Sequence, residues 1–258
     1  MEKNIDIYNK KEKCNIKAKL FYLEKNEKYK HIFIFCHGFC SGKGSNSVKI
    51  VANKLLEYEI PSISFYFPGH IDSVQGTDKL TVDVCTSYIN TIIEYVKNTY
   101  GENVEISFYA ISFGAYILLN KLIGDKSKYK YIVLRSPAFD MKEILIKSLL
   151  KDSYEQFKEN KKAKAGHGGK LEVPYSFYQD LIAHNLYDIY REQRKILILQ
   201  GKLDDTAPIN DTYRFIKDRP EIELIEMKNM KHHMEPKEIE IVTNEMIQRL
   251  KLKDVNCF

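Results

Sequence analysis

Glycine and proline are scarce in this chain of 258 residues, at 12 and 7. That excludes collagen-like and low-complexity architectures, which need far more of both. With 44% apolar and 29% charged residues, the composition also departs from that of a wholly disordered chain. Arginine is rare, confined to positions 135, 191, 194, 214, 219 and 249, so nearly all of the 40 basic residues are Lys. They are scattered among Glu and Asp, and the net charge is only +5. A nucleic-acid or membrane surface gathers its basic residues into a stripe. These lysines read as a solvated face, and neither a nucleic-acid partner nor integral membrane association is expected.

The five cysteines, at 14, 36, 40, 85 and 257, are odd in number and form no C-x-x-C pair. A disulfide framework is not expected, and Cys36 and Cys85 sit where small core residues belong. Apolar runs such as Ile32 to Cys36 are too short to cross a bilayer. Met1 to Asp6 lacks the charged-then-apolar layout of a signal peptide. Together these absences lead to the expectation of a cytoplasmic protein.

What is present is an alternation of short apolar runs and longer amphipathic ones. Strands are expected at Asn15 to Leu23, Ile32 to Cys36, Ser62 to Phe67, Val104 to Tyr109, Tyr131 to Leu134, Ile196 to Leu199 and Ile222 to Met227. Helical spacing marks Ser47 to Tyr58, Leu80 to Thr99, Phe113 to Ile123, Asn210 to Lys217 and Lys237 to Leu252. Repeated strand–helix units predict a mostly parallel sheet flanked by helices, an α/β fold. One interval, Phe139 to Arg194, breaks the pattern. It holds helical pieces at Ile144 to Leu150 and around Tyr178 to Tyr190, a Lys-rich stretch at Lys158 to Lys164, and three glycines at 166, 168 and 169. It reads as an insertion with a mobile middle in which those glycines serve as a hinge and His167 is exposed.

Three loops carry chemistry. Between an apolar strand and an apolar helix lies Ala110-Ile111-Ser112-Phe113-Gly114, with small residues two before and two after the Ser. A nucleophile on a strand-to-helix turn requires that, because the chain reverses too tightly for larger side chains. The first buried strand ends in His37-Gly38-Phe39-Cys40-Ser41-Gly42-Lys43-Gly44. As a phosphate loop it is one residue short between Gly38 and Gly42, and Gly44 stands where a Ser or Thr should follow Lys43. As an oxyanion loop it fits: Gly38 permits the turn, the Phe39 N–H points into the site, and His37 holds the loop in shape.

Further on, Ile196 to Leu199 runs into an acidic turn where Asp204 or Asp205 could orient a histidine. The last strand is followed by His232 and His233, either of which could serve as general base. No acidic or Cys ligand stands at useful spacing from His184 or the His232–His233 pair, so no metal site is expected. No cofactor is expected either. The chain order is Ser, Asp, His.

With these residues the sequence resembles the α/β-hydrolases. His37-Gly38-Phe39, Phe67-Pro68-Gly69-His70, Ala110 to Gly114, Gly201 to Pro208 and Lys231-His232 match that family's loops. It is most similar to the small-capped group of cinnamoyl and feruloyl esterases, monoacylglycerol lipases and serine-aminopeptidase-like hydrolases. Ala110 replaces the commoner Gly, Tyr66 stands where Asp is frequent, and Ile71 where Gly is.

The resemblance implies one α/β-hydrolase domain over 1–258, with residues 139–194 a small helical cap over the site. It implies Ser112 as nucleophile, Asp204 rather than Asp205 as acid, and His232 rather than His233 as base. The backbone N–H groups of Phe39 and Phe113 would form the oxyanion hole. The activity implied is hydrolysis of a small carboxylic ester with an apolar or aromatic acyl group. Tyr154, Phe157, Tyr175, Phe177, Tyr178, Tyr187 and Tyr190 would either line the acyl pocket or pack the cap onto the domain. The same residues would serve a thioesterase, amidase or acyltransferase, and a catalytically silent binding protein on this fold is the remaining reading.

Overall fold

The computed structural model describes residues 1–24, 29–150, 154–166 and 171–252. The chain opens with two antiparallel strands, β1 (Glu2–Asn9) and β2 (Cys14–Phe21). The buried run β3 (His31–Cys36) follows, then α1 (Asn46–Leu56), β4 (Ser62–Phe65), α2 (Val82–Tyr100), β5 (Glu105–Ile111), α3 (Phe113–Leu122) and β6 (Ile132–Arg135). In the interval 139–194 come α4 (Met141–Ile144), continued by a wider turn over Leu145–Leu149, and α5 (Tyr154–Asn160). A short antiparallel pair, β7 (Lys162–Ala165) and β8 (Leu171–Pro174), precedes α6 (Tyr175–Ala183) and α7 (Leu186–Ile189). The sheet then resumes with β9 (Ile196–Gly201), α8 (Ile209–Ile216), β10 (Ile222–Met227) and α9 (Pro236–Leu250).

Eight strands form one sheet in the order β1-β2-β4-β3-β5-β6-β9-β10. β2 pairs antiparallel with β1 and β4, and every pair from β4 to β10 is parallel. The central strands are buried on both faces and are continuous apolar runs for that reason. Val51 and Leu55 of α1 and Val242 and Met246 of α9 cover one face. Ile89 and Ile92 of α2, Leu118 of α3 and Phe215 of α8 pack on the other. Among the described residues no helix is long and apolar enough to cross a membrane.

The observed elements follow the expected ones to within a few residues, with three exceptions: α5, which overlaps a stretch read only as Lys-rich, β1, and the β7–β8 pair. β1 was not expected, because its side chains Glu2, Lys3, Asn4 and Asp6 are mostly polar and exposed; it sits at the sheet edge. The β7–β8 pair was not expected in an insertion read as helical, because Lys162-Ala163-Lys164-Ala165 carries only alanines on its buried side. Of the glycines read as a hinge, Gly166 has φ 81°. His167, Gly168, Gly169 and Cys257 lie outside the described residues. Cys36 and Cys85 are fully buried in the core.

Candidate active site

Ser112 occupies the one-residue turn between β5 and α3, at φ 50° and ψ −112°. A non-glycine residue there is strained by about 1–3 kcal/mol, and the surroundings must impose it. They do so through hydrogen bonds: the Ser112 N–H donates to the Arg135 carbonyl at 3.0 Å, and the Ser112 carbonyl accepts from Ala138 and Ala115. Gly114 lets α3 press against the end of β3. A Cβ there would lie 2.2 Å from the Cys36 carbonyl oxygen and 2.6 Å from that of His37. Any larger residue would push the helix off the strand, so the small-residue requirement is steric in this chain.

The loop after β3 is fixed by His37. Its Nε2 accepts from the Phe67 N–H at 3.1 Å, so the proton sits on Nδ1 and is donated to the Gly38 carbonyl at 2.8 Å. Burial pushes His37 down to about 3, aided by the neighbouring His70. His70, equally buried, is pushed down to about 4 and stacks on Phe113 at 5.6 Å. Both imidazoles are therefore neutral props and not proton-transfer groups. The Phe39 and Phe113 N–H groups have no hydrogen-bond partner among the described residues. Phe113 heads α3, where the first amides are unpaired and the helix dipole is positive.

Asp204 is buried and Asp205 exposed, so burial separates two residues that sequence chemistry left equal. The Asp204 carboxylate accepts from the Thr206 and Ala207 N–H groups, at 3.1 and 2.7 Å, and from Gln200 Nε2 at 3.0 Å. Its remaining capacity goes to His232 Nδ1, 3.0 and 2.9 Å from the two carboxylate oxygens. That bond puts the His232 proton on Nδ1 and leaves Nε2 as an acceptor. His233 is exposed and its ring lies 5.5 Å from that of His232. Gly201 brings the two loops together: a Cβ there would lie 2.2 Å from the Met230 carbonyl oxygen.

Ser112 and His232 line one cavity of about 490 Å³, together with Phe39, Ile111, Leu149 and Met234. The seven aromatics of residues 139–194 do not line it. Phe157 and Tyr178 pack with Tyr175, Tyr190 packs on Phe215, and Phe177 is buried beside Phe39, so packing is what they do. His184 donates to the Asp180 carbonyl at 2.9 Å and is also absent from the cavity wall. Lys43, the candidate phosphate ligand, instead donates to the Ala18 carbonyl and Asn4, over the Tyr66 ring. The cavity wall includes an arginine that the motifs did not single out, Arg135 at the end of β6. Its sequence signal is a charge closing an otherwise apolar strand, Ile132-Val133-Leu134-Arg135.

In comparison with known proteins, no family model matches the chain and no curated protein matches it in sequence. Solved structures do match in fold. Est1E from Butyrivibrio proteoclasticus, in a structure with ferulic acid bound, gives a TM-score of 0.75 at 17% identity, covering 96% of this chain and 100% of that one. Alpha/beta hydrolase domain-containing protein 10 from mouse gives 0.76 at 16% identity, covering 96% and 98%. The esterase EaEST from Exiguobacterium antarcticum gives 0.69 at 17%, covering 96% and 100%. At such identities the likeness carries the fold, and the chemistry rests on the residues described above.

Proposed function

This chain has the α/β-hydrolase fold, and from the residues gathered at its strand ends we propose that it is a serine hydrolase acting on carboxylic esters. The observation that carries the reading is the buried Asp204–His232 hydrogen bond at the wall of the cavity that holds the strained Ser112. Ser112 Oγ attacks the ester carbonyl carbon while His232 Nε2 takes its proton, and Asp204 stabilises the imidazolium. The Phe39 and Phe113 N–H groups hold the tetrahedral oxyanion. The alcohol leaves with the proton from His232, giving acyl-Ser112. Water, deprotonated by His232, then attacks the acyl carbon and releases the acid.

The whole of 1–258 acts as one catalytic domain in this reading, and residues 139–194 form its cap. Leu149 and Gly166 from that interval lie on the cavity wall, which supports a cap. Phe39, Ile111, Leu149 and Met234 offer an apolar surface to an acyl chain. Thioesters, amides or an acceptor other than water would engage the same groups.

A short p-nitrophenyl ester tests the assignment of the base. Wild-type protein hydrolyses it; His232→Ala loses activity by about 10³-fold or more, and His233→Ala stays within severalfold. Equal, mild losses in the two variants would overturn it.

A further inference from the structure

Arg135 is a cation in an unusual position. It is 5% exposed, and its Nε is buried without a hydrogen-bond partner. Its Nη1 reaches only the His232 carbonyl, at 3.5 Å, the outer limit of a hydrogen bond. No carboxylate lies within ion-pair distance of it among the described residues. A guanidinium stays charged under all physiological conditions, and burying a charge unpaired is strongly unfavourable. Such a group calls for a partner that the folded chain does not itself supply.

The cavity shows where that partner would sit. Arg135 lies on its wall with Ser112 and His232, and no Asp or Glu does so among the described residues. Asp204, which does not line the cavity, is engaged by His232, Gln200 and two backbone N–H groups. The hydroxyl-bearing residues Ser41, Ser47 and Thr206 complete this part of the wall. Ser47 belongs to the first turn of the 11-residue α1, whose positive dipole end is thereby presented to the same space. A buried fork of donors, a helix N-terminus and an absence of acids describe a receptor for a carboxylate.

We propose that Arg135 is an anion subsite, and that the substrate is an ester bearing a second, ionised carboxylate. This rests on the serine-hydrolase reading and narrows it. The ester end occupies Ser112 and the amides of Phe39 and Phe113. An apolar spacer runs along the cavity, and the free carboxylate forms a bidentate pair with the guanidinium. Arg135 is then a specificity-determining residue. The competing role is purely structural, a brace on the His232 loop through its carbonyl.

Two matched pairs of esters separate these roles. One is the mono-p-nitrophenyl ester of adipic acid against its methyl-capped neutral counterpart, with the charge on the acyl side. The other is 4-acetoxybenzoate against its methyl ester, with the charge on the alcohol side. Wild-type protein is expected to favour the anionic member of at least one pair by about tenfold or more in kcat/KM, the scale of a charged hydrogen bond. Arg135→Gln collapses that ratio and Arg135→Lys restores part of it, whatever either does to absolute rates. Adipate dianion, added alone, raises the melting temperature of wild-type protein and not of Arg135→Gln.

A brace would slow both members of a pair alike in Arg135→Gln. That result, or a wild-type ratio near one in both pairs with no adipate effect, overturns the subsite. Adipate stabilisation that depends on Arg135, with no hydrolysis of any ester, would keep the subsite and remove the hydrolase reading.

Discussion

Ser112 turns the chain from β5 into α3 with φ in the left-handed region. Its φ of 50° is costly for a residue with a Cβ, whereas glycine adopts it freely. Ser112→Gly relieves about 1–3 kcal/mol and gives back roughly 0.5–1 kcal/mol through the greater freedom of the unfolded chain. The variant is therefore expected to be more stable by about 1 kcal/mol in a urea titration, and inactive. A loss of stability would show that the turn is not strained.

His37 and His70 make the opposite kind of commitment. Both are held below their ordinary value by burial, to about 3 and 4. Their folded-state values lie beneath the unfolded one near 6.5, so below pH 6.5 only the unfolded chain takes up their protons. Stability is thus fully present above pH 6.5 and falls as pH drops toward 4, by up to about 1.4 kcal/mol per unit for each group. Their rings lie 5.0 Å apart, so protonating one opposes protonating the other. Urea midpoints at pH 7 and pH 5 should show this loss, and His70→Phe should reduce it. A midpoint independent of pH would contradict the burial argument.

At the scale of elements, the end of β9 and the loop after β10 are joined by close contact. The Lys202 and Leu203 N–H groups donate to the Met227 and Met230 carbonyls, and Gly201 leaves no room for a Cβ. Gly201→Ala must push the two loops apart, which lengthens the Asp204–His232 contact. A displacement near 1 Å costs about 100-fold in rate. We expect kcat to fall by that order with KM little changed; wild-type kcat would show that the contact is not needed.

The strands bearing these loops were legible because burial on both faces forces continuous apolar runs, as in Ile32 to Cys36 and Ile196 to Leu199. β1 and the β7–β8 pair were not, because Glu2, Lys3, Lys162 and Lys164 face solvent and leave no apolar alternation to read. The segment aromatics were ambiguous for a related reason. An apolar ring at helical spacing has the same signature whether it lines a cavity or fills a core.

Across the whole molecule, the site joins residues far apart in sequence: Phe39, Ser112, Asp204 and His232. Their order and strand-end positions could be read from the chain. The chemistry of the loops alone left Asp204 equal to Asp205 and His232 to His233; the family resemblance pointed to Asp204 and His232, and the burial of Asp204 with its 2.9 Å contact to His232 supports that choice. Arg135 stayed hidden because one charged residue after three apolar ones has no motif; only its place in the cavity wall makes it significant. A fluorophosphonate probe read by intact mass tests whether this assembly makes Ser112 a nucleophile. One phosphonyl adduct is expected on the wild-type chain, mapped to Ser112, absent from Ser112→Ala and slow to form in His232→Ala. An unlabelled wild-type protein, or equal labelling of Ser112→Ala, would contradict it.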